Sequence, residues 1–222
     1  MDERYIRNLG ALTETECALL RKKKVFVAGC GGLGGHIIDM LLRIGVGALS
    51  VADGDCFEPS NLNRQLLSRE NLLGTPKAEA ARAHAASVNS GVEFTAYSEF
   101  INKDNVASMI HGCDAVIDAL DGVPARKLLK AACDAQNIPY VFGAIHGWVA
   151  QAAISMPGDG LLNILYPSDT VPGDKSTLAF TPALCAALET SLCVRLLCGR
   201  NLETGRLHYF DLSEMDFETI SL

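Results

Sequence analysis

Gly29-Cys30-Gly31-Gly32-Leu33-Gly34 follows the apolar run Val25-Phe26-Val27-Ala28 and precedes an apolar-periodic stretch over 36–43. A strand that ends in glycines and restarts as a helix aims free backbone N–H groups, and the positive end of a helix dipole, at one point where a phosphate fits. A second apolar run, 48–52, ends at Asp53, about 20 residues on, where an acid meets the ribose in dinucleotide folds. Glycines at this spacing also serve turns that bind nothing, and Asp53 alone is equally a strand-end turn residue. The strand before and the helix after make a nucleotide the better reading.

The 222-residue chain has a formal net charge of −7, which argues against broad polyanion binding and so against nucleic acid. A phosphate site must then be locally basic, built from a few placed Lys and Arg. The eight cysteines include no Cys-x-x-Cys pair, and residues 1–4 begin no signal peptide. A reduced, cytoplasmic compartment and no tetrahedral zinc site are expected. The most apolar stretch, 183–198, contains Glu189 and Arg195 and is short for a bilayer span. It reads as a buried helix, with no membrane association expected.

Upstream, Thr13-Glu14-Thr15-Glu16 is a Thr-x-x-Glu capping box that starts a short helix to residue 20, closed by Lys22, Lys23 and Lys24. Arg7, on the residues alone, is a solvated surface charge. Downstream, the polar stretch 58–65 carries Asn61, Arg64 and Gln65 just past the second strand's carboxyl end, where open α/β sheets bind ligands. Gly74-Thr75-Pro76-Lys77 starts a helix to residue 88, with Thr75 as N-cap and Pro76 at N1. Lys77 then lies in the first turn, where the dipole disfavours a cation, and suggests an anion nearby. Its bland alternative is a surface lysine whose stem reaches water.

Strands are expected at 92–97, 115–117 and 139–142, with a helix over 124–136. Asp118 and Asp121 lie beyond the strand 115–117. Either they hold Mg²⁺ through one carboxylate with water and phosphate oxygens, or Asp121 caps the following helix. After residue 143 the alternation stops: 148–156 and 161–166 read as strands joined by a Pro157-Gly158-Asp159-Gly160 hairpin. A loop over 167–180, a long helix over 181–198, and an antiparallel pair at 207–210 and 215–220 complete the chain. The expected fold is α/β, a single domain with a Rossmann-like doubly wound, mostly parallel sheet extended by C-terminal antiparallel strands. Its parts are an N-terminal arm and helix over 1–24, a nucleotide-binding part over 25–143 and a C-terminal part over 144–222.

With these pieces placed, the chain resembles the MoeB/ThiF/HesA family of ubiquitin-activating-type adenylyltransferases. The matching residues are Arg4-Tyr5-x-Arg7, Gly29-x-Gly31-Gly32-Leu33-Gly34, Asp53-x-Asp55, Ser60-Asn61-Leu62-x-Arg64-Gln65, Gly74-x-x-Lys77, and Asp118-x-x-Asp121 with Arg126 beyond. The resemblance implies that ATP binds at Gly29, Gly31, Gly32 and Gly34. The Gly-Gly carboxyl terminus of a small ubiquitin-like sulfur-carrier protein would then attack its α-phosphate, giving an acyl-adenylate and pyrophosphate. By the same resemblance Asp53 holds the ribose hydroxyls, while Asn61, Arg64 and Lys77 hold the phosphates. Asp121 would bind Mg²⁺, and Arg7 would reach the phosphates of the opposite subunit in a homodimer. Asp55 and Gln65 belong to the matching motifs and join the nucleotide set.

Two departures from the family pattern bear on chemistry. Many members place a zinc-binding cysteine pair where this chain has Leu161-Leu162-Asn163-Ile164-Leu165, and a second near the C-terminus, where this chain has none. The loop 173–179 also has no cysteine to capture the carrier covalently. Zinc and covalent capture are therefore not expected, and Cys30, Cys185 and Cys193 read as packing residues. An NAD-dependent oxidoreductase would explain the glycines and Asp53 but leave Arg64, Lys77 and Asp121 idle. A non-catalytic scaffold would have no use for those same three.

Overall fold

The computed structural model describes residues 2–168 and 176–222. Helix α1 (Glu14–Leu20) opens with the expected capping box: the Glu16 N–H donates to Thr13 Oγ1 at 3.2 Å, and the Thr13 N–H donates to the Glu16 carboxylate at 2.8 Å. The lysines do not close it. Arg21 is the C-cap, Lys23 pairs with Asp114 at 2.8 Å, and Lys24 begins the first strand.

Apolar runs form β1 (Lys24–Ala28), β2 (Ala48–Ala52), β3 (Glu93–Tyr97), β4 (Ala115–Asp118) and β5 (Tyr140–His146). They lie parallel in the order β3-β2-β1-β4-β5. The connections carry α2 (Gly32–Ile44), α3 (Lys77–Val88), a short α4 (Val106–Met109) and α5 (Val123–Ala135). Successive strand residues point to opposite faces, so both faces acquire a core. Val25 and Val27 of β1 pack with Ile37, Leu41 and Ala81; Phe26 and Ala28 pack with Met109, Leu129 and Cys133.

Beyond β5 the direction reverses. The strands β6 (Val149–Ser155), β7 (Arg206–Asp211) and β8 (Asp216–Ser221) add antiparallel, completing one eight-stranded sheet in the order β3-β2-β1-β4-β5-β6-β7-β8. The expected C-terminal pair is present as β7 and β8. The sheet runs unbroken past residue 143, which lies inside β5.

The stretch 161–166 is not a strand. Leu161–Leu165 forms helix α6, and the hairpin partner of β6 is β5, across a turn at Gly147 with φ +54°. Leu161 and Leu162, adjacent in sequence, are both buried in one cluster with Leu129 and Cys133, which a strand's alternation does not allow. The Asp159 carboxylate accepts from the Ser155 hydroxyl at 2.6 Å, the Met156 N–H at 2.7 Å and the Leu161 N–H at 3.1 Å. That set of bonds turns the chain and starts the helix.

Helix α7 (Phe180–Leu197) packs against α2, β5 and β6. Its length and apolarity would suit a bilayer, yet 50% of it is buried inside the fold. Glu189 sits fully buried on it, its carboxyl against Gly143, where an added Cβ would lie 2.1 Å from Glu189 Cδ. Cys185 Sγ lies 3.8 Å from Glu189 Oε2, and Oε1 has no partner among the described residues. Burial first, then the nearby Asp118 charge, pushes the carboxyl well up, against the pull of Arg126. A carboxyl raised in this way stabilises the fold fully below its ordinary value near 4.5, and the contribution is lost as pH rises through the folded value. Glu189→Gln is therefore expected to flatten the decline of the thermal midpoint as pH rises above about 4.5. Superimposable melting-versus-pH curves for the two proteins would refute a raised Glu189.

Candidate active site

Strand β1 is flanked by β2 and β4, whose connections run in opposite directions. The crevice at its carboxyl end is thus the topological switch point at which open α/β sheets bind ligands. Gly29 leaves β1 at φ +101°, and a Cβ there would lie 2.7 Å from the Ala119 carbonyl oxygen. A Cβ on Gly34 would lie 1.9 Å from the Gly29 carbonyl oxygen. The chain's own packing demands those two glycines. Gly31 and Gly32 differ, because a Cβ at either would meet nothing nearer than 3.6 Å, from Gln65 and Pro182 respectively. Bare backbone the fold does not need suits a ligand in close approach. Helix α2 begins inside the glycine run, at Gly32 rather than near 36, and its N-cap Gly31 offers no side-chain cap. The open N–H groups of its first turn face the crevice as an anion site.

The end of β2 ties into this loop. Asp53 Oδ2 accepts from the Cys30 N–H at 2.7 Å, and Oδ1 from the Asp55 N–H at 2.9 Å. Burial pushes the Asp53 carboxyl up, opposed by these two donors and by Lys77. Asp55 in turn receives Lys77 Nζ at 3.0 Å, and its carbonyl accepts the Lys77 N–H at 2.9 Å. Lys77 is only 7% exposed, so it is not a surface lysine reaching water. It is the first residue of α3, with Pro76 as N-cap, one position later than expected. Thr75 is not the cap: its N–H donates to Leu72, while a bridge between Cys56 and Pro76 keeps the chain extended through Pro76. Asp55 holds a cation that the helix dipole disfavours. Burial, then Asp53, pushes the Cys30 thiol well up, in keeping with a packing residue rather than a nucleophile.

The loop 58–65 brings Gln65 and Arg64. Gln65 is buried, its amide nitrogen 3.6 Å from where a Gly31 Cβ would stand, and its Oε1 has no partner among the described residues. A buried orphan polar atom against the glycine loop is what a polar ligand there would satisfy. Arg64, half-buried, donates through Nη1 to the Ser60 carbonyl at 2.8 Å and to Asn63 Oδ1 at 2.9 Å. It lines a cleft of about 430 Å³ with Asn63, Trp148, Thr177 and Leu178. Asn61 accepts at Oδ1 from the Glu58 N–H at 3.0 Å, bracing the 3₁₀ turn Pro59–Asn61, while its Nδ2, the donor a phosphate would use, lies 3.5 Å from Ser60 Oγ. The crossover loop expected over 167–180 lies partly outside the described residues, and 173–179 is described only from Ser176 on.

Asp121 is exposed on the β4–α5 loop and makes no bond among the described residues. The N-cap of α5 is Gly122, without a side-chain bond, so the capping alternative is not realised. Ala119, two residues earlier, packs against Gly29, which places this loop at the glycine run. Among the described residues no group of three or more His, Cys, Asp or Glu could hold a metal. An ion here would take one carboxylate and complete its shell from phosphate oxygens and water. Arg7 does not join the site within one chain. It is exposed on the 3₁₀ segment Glu3–Asn8 and lines a separate groove with Leu12, Ile44, Val194 and Arg200. Tyr140 escaped the sequence reading as a partner of Asp118, although Asp118, ending an apolar strand, signals a buried partner.

The sheet order, the glycine loop at the switch point and the Asp53–Asp55–Lys77 chain define a doubly wound nucleotide-binding domain. A family model described as the ThiF family matches residues 4–222, and the chain belongs to that family. The SAMP-activating enzyme E1 of Haloferax volcanii is 36% identical over 209 residues, covering 90% of this chain and 77% of that protein. Adenylyltransferase and sulfurtransferase MOCS3 of Xenopus laevis is 31% identical over 211 residues, covering 91% of this chain but 47% of that protein, so the chain spans about half its length. The crystal structure of E. coli MccB with ATP superimposes with a TM-score of 0.83 over 100% of this chain and 72% of MccB, at 21% identity, a likeness of fold. The names of the two sequence relatives agree with the adenylyltransferase read from the sequence.

Proposed function

We propose that this chain adenylates the C-terminal glycine carboxylate of a small ubiquitin-like sulfur-carrier protein, using ATP with Mg²⁺. A carboxylate oxygen of the carrier attacks the α-phosphorus, the bond to the bridging oxygen breaks, and pyrophosphate leaves with that electron pair. The tail carboxylate is ionised at neutral pH, so no general base is needed. Positioning and stabilisation of charge on the phosphate oxygens carry the reaction. The open N–H groups of α2 and Lys77 would hold the phosphates, with Asp53 beside the ribose. Arg64 would bind phosphate charge from the cleft that it lines. Asp121 would hold Mg²⁺, which when bound neutralises phosphate charge.

The observation that carries this reading is Gln65. Its buried Oε1, unpartnered among the described residues, lies against Gly31, at a backbone the fold leaves bare. A homodimer contributing Arg7 in trans, a carrier ending in Gly-Gly, and a cytoplasmic setting complete the proposal. The expected result is ATP–pyrophosphate exchange that depends on such a carrier. A protein that binds ATP yet shows no exchange with any Gly-Gly carrier would end the assignment.

A further inference from the structure

Asp118 closes β4 with no exposed surface, and donors converge on it. Arg126 Nη1 reaches Oδ2 at 2.7 Å, the Tyr140 hydroxyl donates to the same oxygen, and the Leu120 N–H reaches Oδ1 at 2.9 Å. The same guanidinium donates to the Gly143 carbonyl of β5 at 2.7 Å and to the Leu120 carbonyl. Its Cζ lies 5.3 Å from the Phe142 ring centroid. One side chain thus ties together the end of β4, the loop that follows it, and β5. Ala119 is held as well: its N–H donates to the Ala28 carbonyl at 2.9 Å, and its own carbonyl occupies the space left by the absent Cβ of Gly29. Both backbone polar groups of Leu120 are spent on this unit, and the next residue is Asp121, exposed and unbonded among the described residues.

Stability alone does not account for the arrangement. A buried ion pair roughly breaks even against apolar side chains of similar volume. Arg126 also lies near the start of α5, where the dipole disfavours a cation. An apolar side chain there could fill the space but could not supply a planar fork aimed at Asp118, Leu120 and Gly143 together. Burial pushes the Asp118 carboxyl up while Arg126 pulls it down, and the same carboxylate holds the guanidinium charged.

We propose that Arg126 and Asp118, with Tyr140 bracing the carboxylate, form a positioning unit that presets Asp121 for the divalent ion of the bound nucleotide. This rests on the ATP site proposed above. The test is Mn²⁺ binding to the full-length protein with ATP, read by electron paramagnetic resonance, for the wild type, Asp121→Asn, Arg126→Met and Arg126→Lys. Metal-free ATP affinity is measured alongside. Arg126→Met is expected to weaken Mn²⁺ about 10-fold or more, the usual cost of losing a residue that orients a metal ligand. Arg126→Lys should recover little, and metal-free ATP affinity should stay at the wild-type value.

Unchanged Mn²⁺ affinity in Asp121→Asn removes the metal role of Asp121, and the positioning role with it. A loss in Asp121→Asn with none in Arg126→Met overturns the positioning unit alone. If Arg126→Met does not fold, Tyr140→Phe decides, since it deletes one donor to Asp118 and keeps the ring. It should weaken Mn²⁺ about fivefold, and wild-type affinity would overturn the proposal.

Discussion

Lys77→Met is expected to slow carrier-dependent ATP–pyrophosphate exchange by about 10²–10³, the usual cost of removing one donor aimed at developing charge. Methionine keeps most of the stem volume and removes only the ammonium, so the loss should appear in rate and not in folding. The partner left behind, Asp55, has a side chain 55% exposed and is solvated when the lysine goes. Melting should therefore move little, since exposed partners contribute roughly 1 kcal/mol or less. Arg64→Ala should fall in the same range. The double variant should lose less than the product of the two, because groups that stabilise one transition state act as a unit. Single-turnover formation of the acyl-adenylate measures the effect directly. A Lys77→Met protein that turns over at the wild-type rate would show that the Asp55 pair is structural and the phosphates lie elsewhere.

The second large effect separates glycines the fold needs from glycines the ligand needs. Gly34→Ala puts a Cβ 1.9 Å from the backbone oxygen of Gly29. Backbone cannot swing aside, so the turn must open, at a cost of about 1–3 kcal/mol or more. Stability and nucleotide binding should fail together. In Gly31→Ala the nearest chain atom is 3.6 Å away, an ordinary contact, so the melting temperature should hold while ATP affinity drops. A roughly tenfold loss corresponds to about 1.4 kcal/mol. Calorimetry on both variants reads both quantities. Wild-type ATP affinity in Gly31→Ala would mean that no ligand approaches that backbone.

Much of the frame was legible locally. The alternation of apolar runs with capped helices led to the parallel half of the sheet, and the capping box at Thr13 and the pair β7–β8 came out as expected. The errors fall where local pattern has no deciding power. A five-residue apolar run such as 161–165 suits a strand or a buried helix equally, and the Asp159 bonds tipped it to helix. The start of α3 moved by one residue because a bridge to Cys56, well back in the chain, keeps the backbone extended through Pro76.

By itself the sequence determined the kind of sheet, the anion-binding loop at its carboxyl edge and the identity of the charged groups available there, since each follows from neighbours a few positions apart. Only the tertiary structure decided which of those groups meet. It set Gln65 against Gly31, Lys77 on Asp55 and Arg126 across Asp118 and Gly143, and it left Arg7 in a separate groove. The physical reason is the strand order: laying β4 beside β1, and β5 beside β4, creates the buried space in which a charge must find a partner, and no local periodicity encodes that adjacency.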